Sequence, residues 1–389
     1  MPETADAVII GGGIHGTSLA FHLTRRGLKP VVVERGAVAS GATGRSSGLV
    51  RMHYDLEAES RLAWESFRYF RNWAEMVGGE CGFTRTGFLK IVGPDYTASL
   101  RANVAMHQRL GVPMLLVTPD DVCRLAPAIA TGDFEAAAYE PESGYADPPG
   151  AASSFLGAAR ERGARLMQDC RVTAVRVAGS KVTGVETTRG AISAPVVVNA
   201  AGAWAAEVGR MVGLDLPVTT WRHDTMFIRR PHALRQTHPT VIDGVTAMYF
   251  RPETGGLTLV GLEDANPLGE SPDGDTDHAL PGFVERAIDR VCRRIPGMEH
   301  GSLHGAHGGY DGITTDQHPI LDQAGPDGFY LDCGFSGTGF KIAPAVGACM
   351  AELILDGRAA TVDIAAFTLR RFAEGRLLVG EHPYGQMWR

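Results

Sequence analysis

Long hydrophobic runs are missing from this 389-residue chain, and none approaches the ~20 residues a helix needs to cross a bilayer. No membrane-spanning helix is therefore expected. No basic stretch precedes the first apolar run, which breaks at three glycines, so no secretory signal is expected either. Cysteine is sparse: Cys81, Cys123, Cys170, Cys292, Cys333 and Cys349 are scattered without CxxC spacing. That argues against a disulfide frame or a zinc site and for reduced, mostly buried thiols in a cytoplasmic protein. Basic tracts are absent and the net charge is −7, which excludes general nucleic-acid binding. Internal repeats, low-complexity segments and long linkers are also lacking. What remains is ordinary globular composition, 44% hydrophobic and 21% charged, at a length that predicts about two domains.

The informative stretch comes first. Ala7–Ile10 is a short apolar run suited to a strand buried on both faces. Gly11-x-Gly13-x-x-Gly16 follows, then a helical segment to Arg26, a stop at Gly27, and a second buried strand, "PVVVE", ending at Glu34. In such a turn the first glycine permits a tight bend, the second lets a pyrophosphate approach the backbone, and the third lets helix and strand pack closely. The helix N-terminus then offers free N–H groups to phosphates. Glu34, 18 residues after Gly16, can accept hydrogen bonds from ribose hydroxyls and would repel a 2′-phosphate. The reading is FAD or NAD rather than NADP.

Downstream, small residues dominate Ala37–Gly48, so backbone can pass close to a flat ligand. Ala63, Phe67, Phe70, Ala74 and Val77 predict one helix with an apolar core-facing stripe. "VVVNAAGAWAAEVG" (196–209) and "GFYLDCGFSGTGFKIAPAVGACMAELIL" (328–355) each read as strand, small-residue turn and helix. The last helix would aim N–H groups from Gly337–Lys341 at an electron-rich ring edge. Residues 171–192 predict a small meander turning at Gly179 and Gly184. "TMFIRR", "AMYFRP" and "LTLVGL" predict further strands within 216–262.

Four blocks, GxGxxG with Glu34, "GRSSGLVR", "VVNAAGAW" and "GFSGTGFK", make the chain resemble the D-amino-acid-oxidase superfamily of FAD enzymes, in its sarcosine oxidase and glycine oxidase branch. "GRSSGLVRMHYD" and "YDGITTD" look most like the β subunit of heterotetrameric sarcosine oxidases. The resemblance implies an α/β (α+β) fold. A Rossmann-like FAD domain (1–80, 143–212 and 305–389) would be covered by a mainly antiparallel substrate domain (81–142 and 213–304). It implies FAD contacts at Gly11, Gly13, Ile14, His15, Gly16, Glu34, Arg35, Thr43, Arg45, Ser46, Ser47, Gly48 and Val172. The same role falls to Ala200, Ala201, Gly202, Trp204, Gly337, Thr338, Gly339, Phe340 and Lys341. The region where monomeric sarcosine oxidases attach FAD covalently has no cysteine here, so FAD is expected to be non-covalent.

The implied reaction is C–N bond oxidation of a small amino acid, best an N-substituted glycine. A hydride equivalent goes to flavin N5, O2 accepts the electrons to give H2O2, and the imine hydrolyses. Arg51 and Lys341 align with cations that grip the substrate carboxylate, as an arginine fork does bidentately. Tyr249 and Arg251 fall at pocket positions, and His53 and His223 are further candidates for the pocket wall. Thr258 aligns where monomeric sarcosine oxidase has a lysine that promotes oxygen reaction. An amine dehydrogenase with another acceptor, and a non-catalytic flavoprotein subunit, therefore stay open. A partner subunit or a homo-oligomer is expected to be compatible with this reading. Ser336 in "GFSGTG" lacks the fifth-position glycine of a hydrolase elbow. His304 and His307 read as loop residues rather than metal ligands.

Overall fold

The computed structural model describes residues 3–234, 237–263 and 266–385. A six-stranded sheet runs in the order Arg165–Met167, Val31–Val33, Val8–Ile10, Val197–Asn199, Phe329–Cys333, Ile320–Gln323, parallel except at the last strand. Its central strands read as continuous apolar runs because both faces are covered. Ala7, Ile9, Val32 and Val198 pack under the helices Ile14–Arg25, Pro148–Glu161 and Ala343–Asp356. Val8, Ile10, Val31, Val33 and Val197 pack on the opposite side against the meander of Val172–Ala178, Lys181–Thr187 and Gly190–Ser193. The strand alternation thus sorts one hydrophobic run into two cores.

Two local expectations are corrected. Gly184 is not at a turn. It lies inside Lys181–Thr187 at φ +133°, where a side chain would collide with the Ile192 carbonyl, and the second turn falls at Thr188–Arg189. The stripe predicted from Ala63 to Val77 is not one helix either. Glu57–Arg71 ends at Asn72, and the short helix Trp73–Met76 turns Trp73 inward, its Nε1 donating to Ser154 at 2.8 Å, while Ala74 is exposed.

A second sheet of eight strands has the order Ser302–Thr314, Val218–Arg229, Leu257–Leu262, Met248–Glu253, Thr240–Asp243, Phe88–Ile91, Ala137–Glu140, Leu115–Val117. It contains the strands expected in 216–262 and is antiparallel except where Thr240–Asp243 meets Phe88–Ile91. One face packs on the helix Phe283–Arg294 through Met226, Val241, Phe250 and Val260. The other face carries Phe88, Trp221, Ile242, Tyr249 and Leu259. All six cysteines are free, four of them buried. Among the described residues no helix is long and apolar enough to cross a membrane.

Burial has a measurable consequence at His22, in the first helix. The ring packs edge-on against Phe21 and Tyr69, and burial, reinforced by Arg25, lowers its pKa to about 3. The unfolded chain takes up this proton near pH 6.5 and the folded chain does not, so stability is lost as pH falls from 6.5 toward 3. We expect His22→Leu to flatten the pH dependence of urea unfolding in that window by up to ~1.4 kcal/mol per pH unit. An unchanged slope would contradict neutral burial of this ring.

Candidate functional site

A cavity of about 590 Å³ runs from the C-terminal ends of the parallel strands to the Tyr249 face of the eight-stranded sheet. At its first end Gly11, at φ +114°, has no room for a side chain against Ala200, and Gly16 none against Gly11. Neither substitution could keep the turn and the helix this close. The helix begins at Ile14 with Gly13 as its cap and no capping side chain at Gly13. The Ile14 N–H donates to Thr43 Oγ1 at 3.0 Å. Glu34 accepts the N–H groups of Gly12 (2.8 Å) and Gly36 (2.7 Å). These two bonds fix the carboxylate at the cavity wall, where its remaining lone pairs can meet ribose hydroxyls.

Ser46, Ser47, Val172, Ala200, Ala201 and Gly202 line the same cavity, as do Gly13, Ile14 and His15. Gly16 and Gly48 shape the backbone without lining it. Gly337, Gly339, Phe340 and Lys341 line the middle. Thr338 does not: its hydroxyl donates to Phe335 O at 2.8 Å. The helix Ala343–Asp356 follows a 3-10 turn at Phe340–Ile342. One loop N–H, that of Gly337, is already given to Asp311 at 2.7 Å.

Arg35 and Arg45 serve partly to hold a strap across the opening. Arg35 pairs with Asp273 at 2.7 Å and lies 4.7 Å over the Trp204 ring, whose Nε1 also donates to Asp273 at 3.1 Å. Arg45 reaches Thr276 (3.2 Å) and Asp277 (3.0 Å). From beneath, buried Arg222 donates to the carbonyls of Asp275 (2.6 Å) and His278 (2.7 Å). Sequence reasoning missed this strap. The available signal was four acids within Glu270–Asp277 opposite two predicted arginines.

At the far end Arg51 is 2% exposed, and its Nε and Nη1 have no hydrogen-bond partner. Its guanidinium stands 4.5 Å over the Tyr54 ring, and Lys341 Nζ stands 5.6 Å over the same ring. Burial first, then Arg51, pushes the Lys341 pKa well below its usual value. Tyr249 Oη meets His223 Nε2 at 2.8 Å, and burial lowers His223 to about 3, a neutral ring. The Tyr249 ring lies across Gly261, its cross-strand partner, where no side chain could fit. Tyr54 was missed, as was buried Glu140, which accepts from Met52 N at 2.9 Å and feels the Arg51 charge.

Two of the substrate-pocket candidates lie outside the cavity. Arg251 stacks 4.3 Å over Tyr145, pairs with Glu253 at 2.9 Å and donates to Ser47 O, so it braces the wall from behind. His53 is buried against Tyr384 Oη (2.7 Å), Met114 Sδ (3.4 Å) and the His107 ring. Both alternated correctly in sequence, but their side chains found partners in the interior first. His304 and His307 sit on the strand Ser302–Thr314 rather than in a loop. Among the described residues no group of three or more His, Cys, Asp or Glu could hold a metal.

Residues 6–353 match the family DAO, FAD dependent oxidoreductase. The chain belongs to this family. It is 30% identical over 405 residues to mitochondrial sarcosine dehydrogenase from Homo sapiens, covering 98% of this chain and 43% of that protein. It is 28% identical to sarcosine oxidase subunit beta from Arthrobacter sp, covering 98% and 94%. The crystal structure of L-proline dehydrogenase from P. horikoshii superposes with a TM-score of 0.90 at 28% identity, covering 97% and 100%. The chain spans less than half the length of the dehydrogenase it matches at 30% identity.

As a DAO-family oxidoreductase the chain uses FAD, and the site fits it. An uncapped helix start, glycines that admit close backbone approach, a fixed acid at the ribose end and orphaned polar atoms all face one cavity. Thr258 does not bear on that cavity. Strand pairing puts Leu259, not Thr258, on the Tyr249 face, and Thr258 bonds His238 (2.9 Å) and Arg230 (3.2 Å). Thr258, the position aligned with the oxygen-promoting lysine, thus faces away from the Tyr249 side of the sheet.

The strap has a direct test. Asp273→Asn removes a half-exposed ion pair, so folding stability should change by less than ~1 kcal/mol. FAD release on dilution should nevertheless quicken several-fold, and added salt should shrink the difference from wild type. Equal release rates would show that the strap does not retain the cofactor.

Proposed function

We propose that the protein oxidises the C–N bond of a small N-substituted glycine or a similar secondary amino acid. The observation that carries this reading is Arg51, a buried guanidinium with two unpartnered nitrogens, beside Lys341 on a shared Tyr54 ring. A planar fork in a desolvated site suits a carboxylate. Trp221, Ile242, Tyr249 and Phe340 wall the chamber with bulky groups, which favours a small substrate. The names of the sarcosine and proline enzymes above agree with that class.

FAD, when bound, supplies the two-electron acceptor. Arg51 and Lys341 hold the carboxylate, and their charges disfavour a nearby ammonium, so the amine reaches its neutral, oxidisable form. The α-C–H bond then breaks with its electron pair leaving, the nitrogen lone pair forms C=N, and water splits the imine into amine and carbonyl. Neutral His223 orients the Tyr249 hydroxyl at the other wall. FAD would be held without a covalent bond. Cys170, the one cysteine lining the cavity, lies beside Arg171 and Val172 toward Glu34. O2 is one acceptor. The strand Leu257–Leu262 contributes no cation to the cavity, which favours the second reading, a dehydrogenase, because it offers nothing to stabilise a forming anion. The near full-length likeness to a named subunit supports a partner chain, and six free thiols support a reducing cytoplasm.

Arg51→Ala should lower kcat/KM for N-methylglycine by ~2–4 kcal/mol in transition-state terms while leaving FAD content unchanged. Arg51→Lys should recover only part, having lost the fork. Unchanged kinetics in the alanine variant would remove Arg51 from the site. Acid precipitation should leave the flavin in the supernatant; flavin retained in the pellet would refute non-covalent binding.

A further inference from the structure

The strand Phe329–Cys333 carries a buried carboxylate with nothing to bind. Asp332 is 1% exposed, both its oxygens lack a hydrogen-bond partner, and it lines the cavity. His15 Nδ1 lies 3.6 Å from its Oδ1. His15 is the second residue of the helix Ile14–Arg25, and its ring nitrogens make no well-formed hydrogen bond, with only the Gly339 backbone close by. The ring stacks flat on Phe335, with centroids 3.4 Å and planes 10° apart. It also needs Gly339, because a side chain there would stand 2.7 Å from Nε2. The pair therefore joins the helix that faces the phosphates to the loop at the middle of the cavity.

Leaving two such groups unsatisfied in the interior costs several kcal/mol, so a ligand that meets them gains accordingly. We propose that His15 and Asp332 are a single polar grip for bound FAD, Asp332 orienting the imidazole while His15 offers a ring N–H to the cofactor's oxygens. A carboxylate behind a ligating histidine fixes its tautomer and ring direction in the same way at metal sites. Burial raises Asp332 to about 7 and holds His15 down to about 3, so below pH 7 the couple keeps one proton and no net charge. That lets a carboxyl group sit in a cavity that receives an anionic dinucleotide. His15 and Asp332 are thus positioning residues for the cofactor.

The test is a double-mutant cycle on FAD affinity, measured by flavin fluorescence on titrating apoprotein, with no activity readout needed. His15→Leu and Asp332→Leu should each weaken binding by ~10-fold or more. The double variant should be little worse than the weaker single, because the two act as one unit. His15→Gln, which keeps a donor, should stay nearer to wild type than His15→Leu. If a leucine variant fails to fold, His15→Ala and Asp332→Ala complete the same cycle. Affinity within twofold of wild type in both singles, or losses that multiply in the double, would overturn the proposal. So would a lowered unfolding temperature of the apoprotein with FAD affinity unchanged, since that marks a purely structural pair.

Discussion

The site depends on a positive charge buried without a hydrogen-bonding partner at two of its nitrogens. A guanidinium at 2% exposure is costly to desolvate, by several kcal/mol even after relaxation. The Tyr54 ring returns ~0.5–2 kcal/mol through its electron-rich face, while burial raises the pKa of the nearby Glu140 and so weakens its help. Neither supplies the planar acceptor that the fork requires. In the proposed reading the substrate's carboxylate does, beside Lys341, whose charged form is disfavoured first by burial and then by Arg51. On that reading the chamber is unfavourable when empty and selective when filled, which is how a small pocket would tell an amino acid from a plain amine.

The fold brings that charge to the cofactor through two sheets of different logic. Parallel strands from distant parts of the chain end at one edge, where Gly11 and Ala200 meet. Residues there are small because backbone, not side chain, must face the ligand. The eight-stranded sheet contributes the opposite wall by simple alternation: Ile242 and Tyr249 look toward the cavity, Val241 and Phe250 toward the core. Arg251 shares the Tyr249 side of the strand, yet it turns behind the wall to brace Ser47.

The dinucleotide turn and Glu34 were legible because their chemistry is local, whereas Arg51 stood out only through the family resemblance. Three glycines, an acid and a small-residue loop carry their meaning within about thirty residues. What was not legible depended on distance. The strap at Glu270–Asp277 reads as surface acid until Arg35, Arg45 and Arg222 are seen beneath it. Asp332 looks like a strand residue until His15 arrives from the other end of the chain. His53 fails for the converse reason: a polar residue two positions from Arg51 was expected in the pocket, but Tyr384, from the chain's far end, claimed it. Thr258 shows how finely a strand must be read, since a shift of one residue exchanges its two faces.

The most direct test of a carboxylate-anchored amine oxidation is anaerobic mixing of the FAD-loaded protein with N-methylglycine, followed by admission of air. N-methylethylamine, which keeps a secondary amine but lacks the carboxylate, serves as the comparison. Flavin absorbance should bleach rapidly with N-methylglycine and hardly at all with the plain amine. Slow recovery in air would then identify a dehydrogenase, and rapid recovery an oxidase. Equal bleaching by both amines, or none by any N-substituted glycine or proline, would contradict the account.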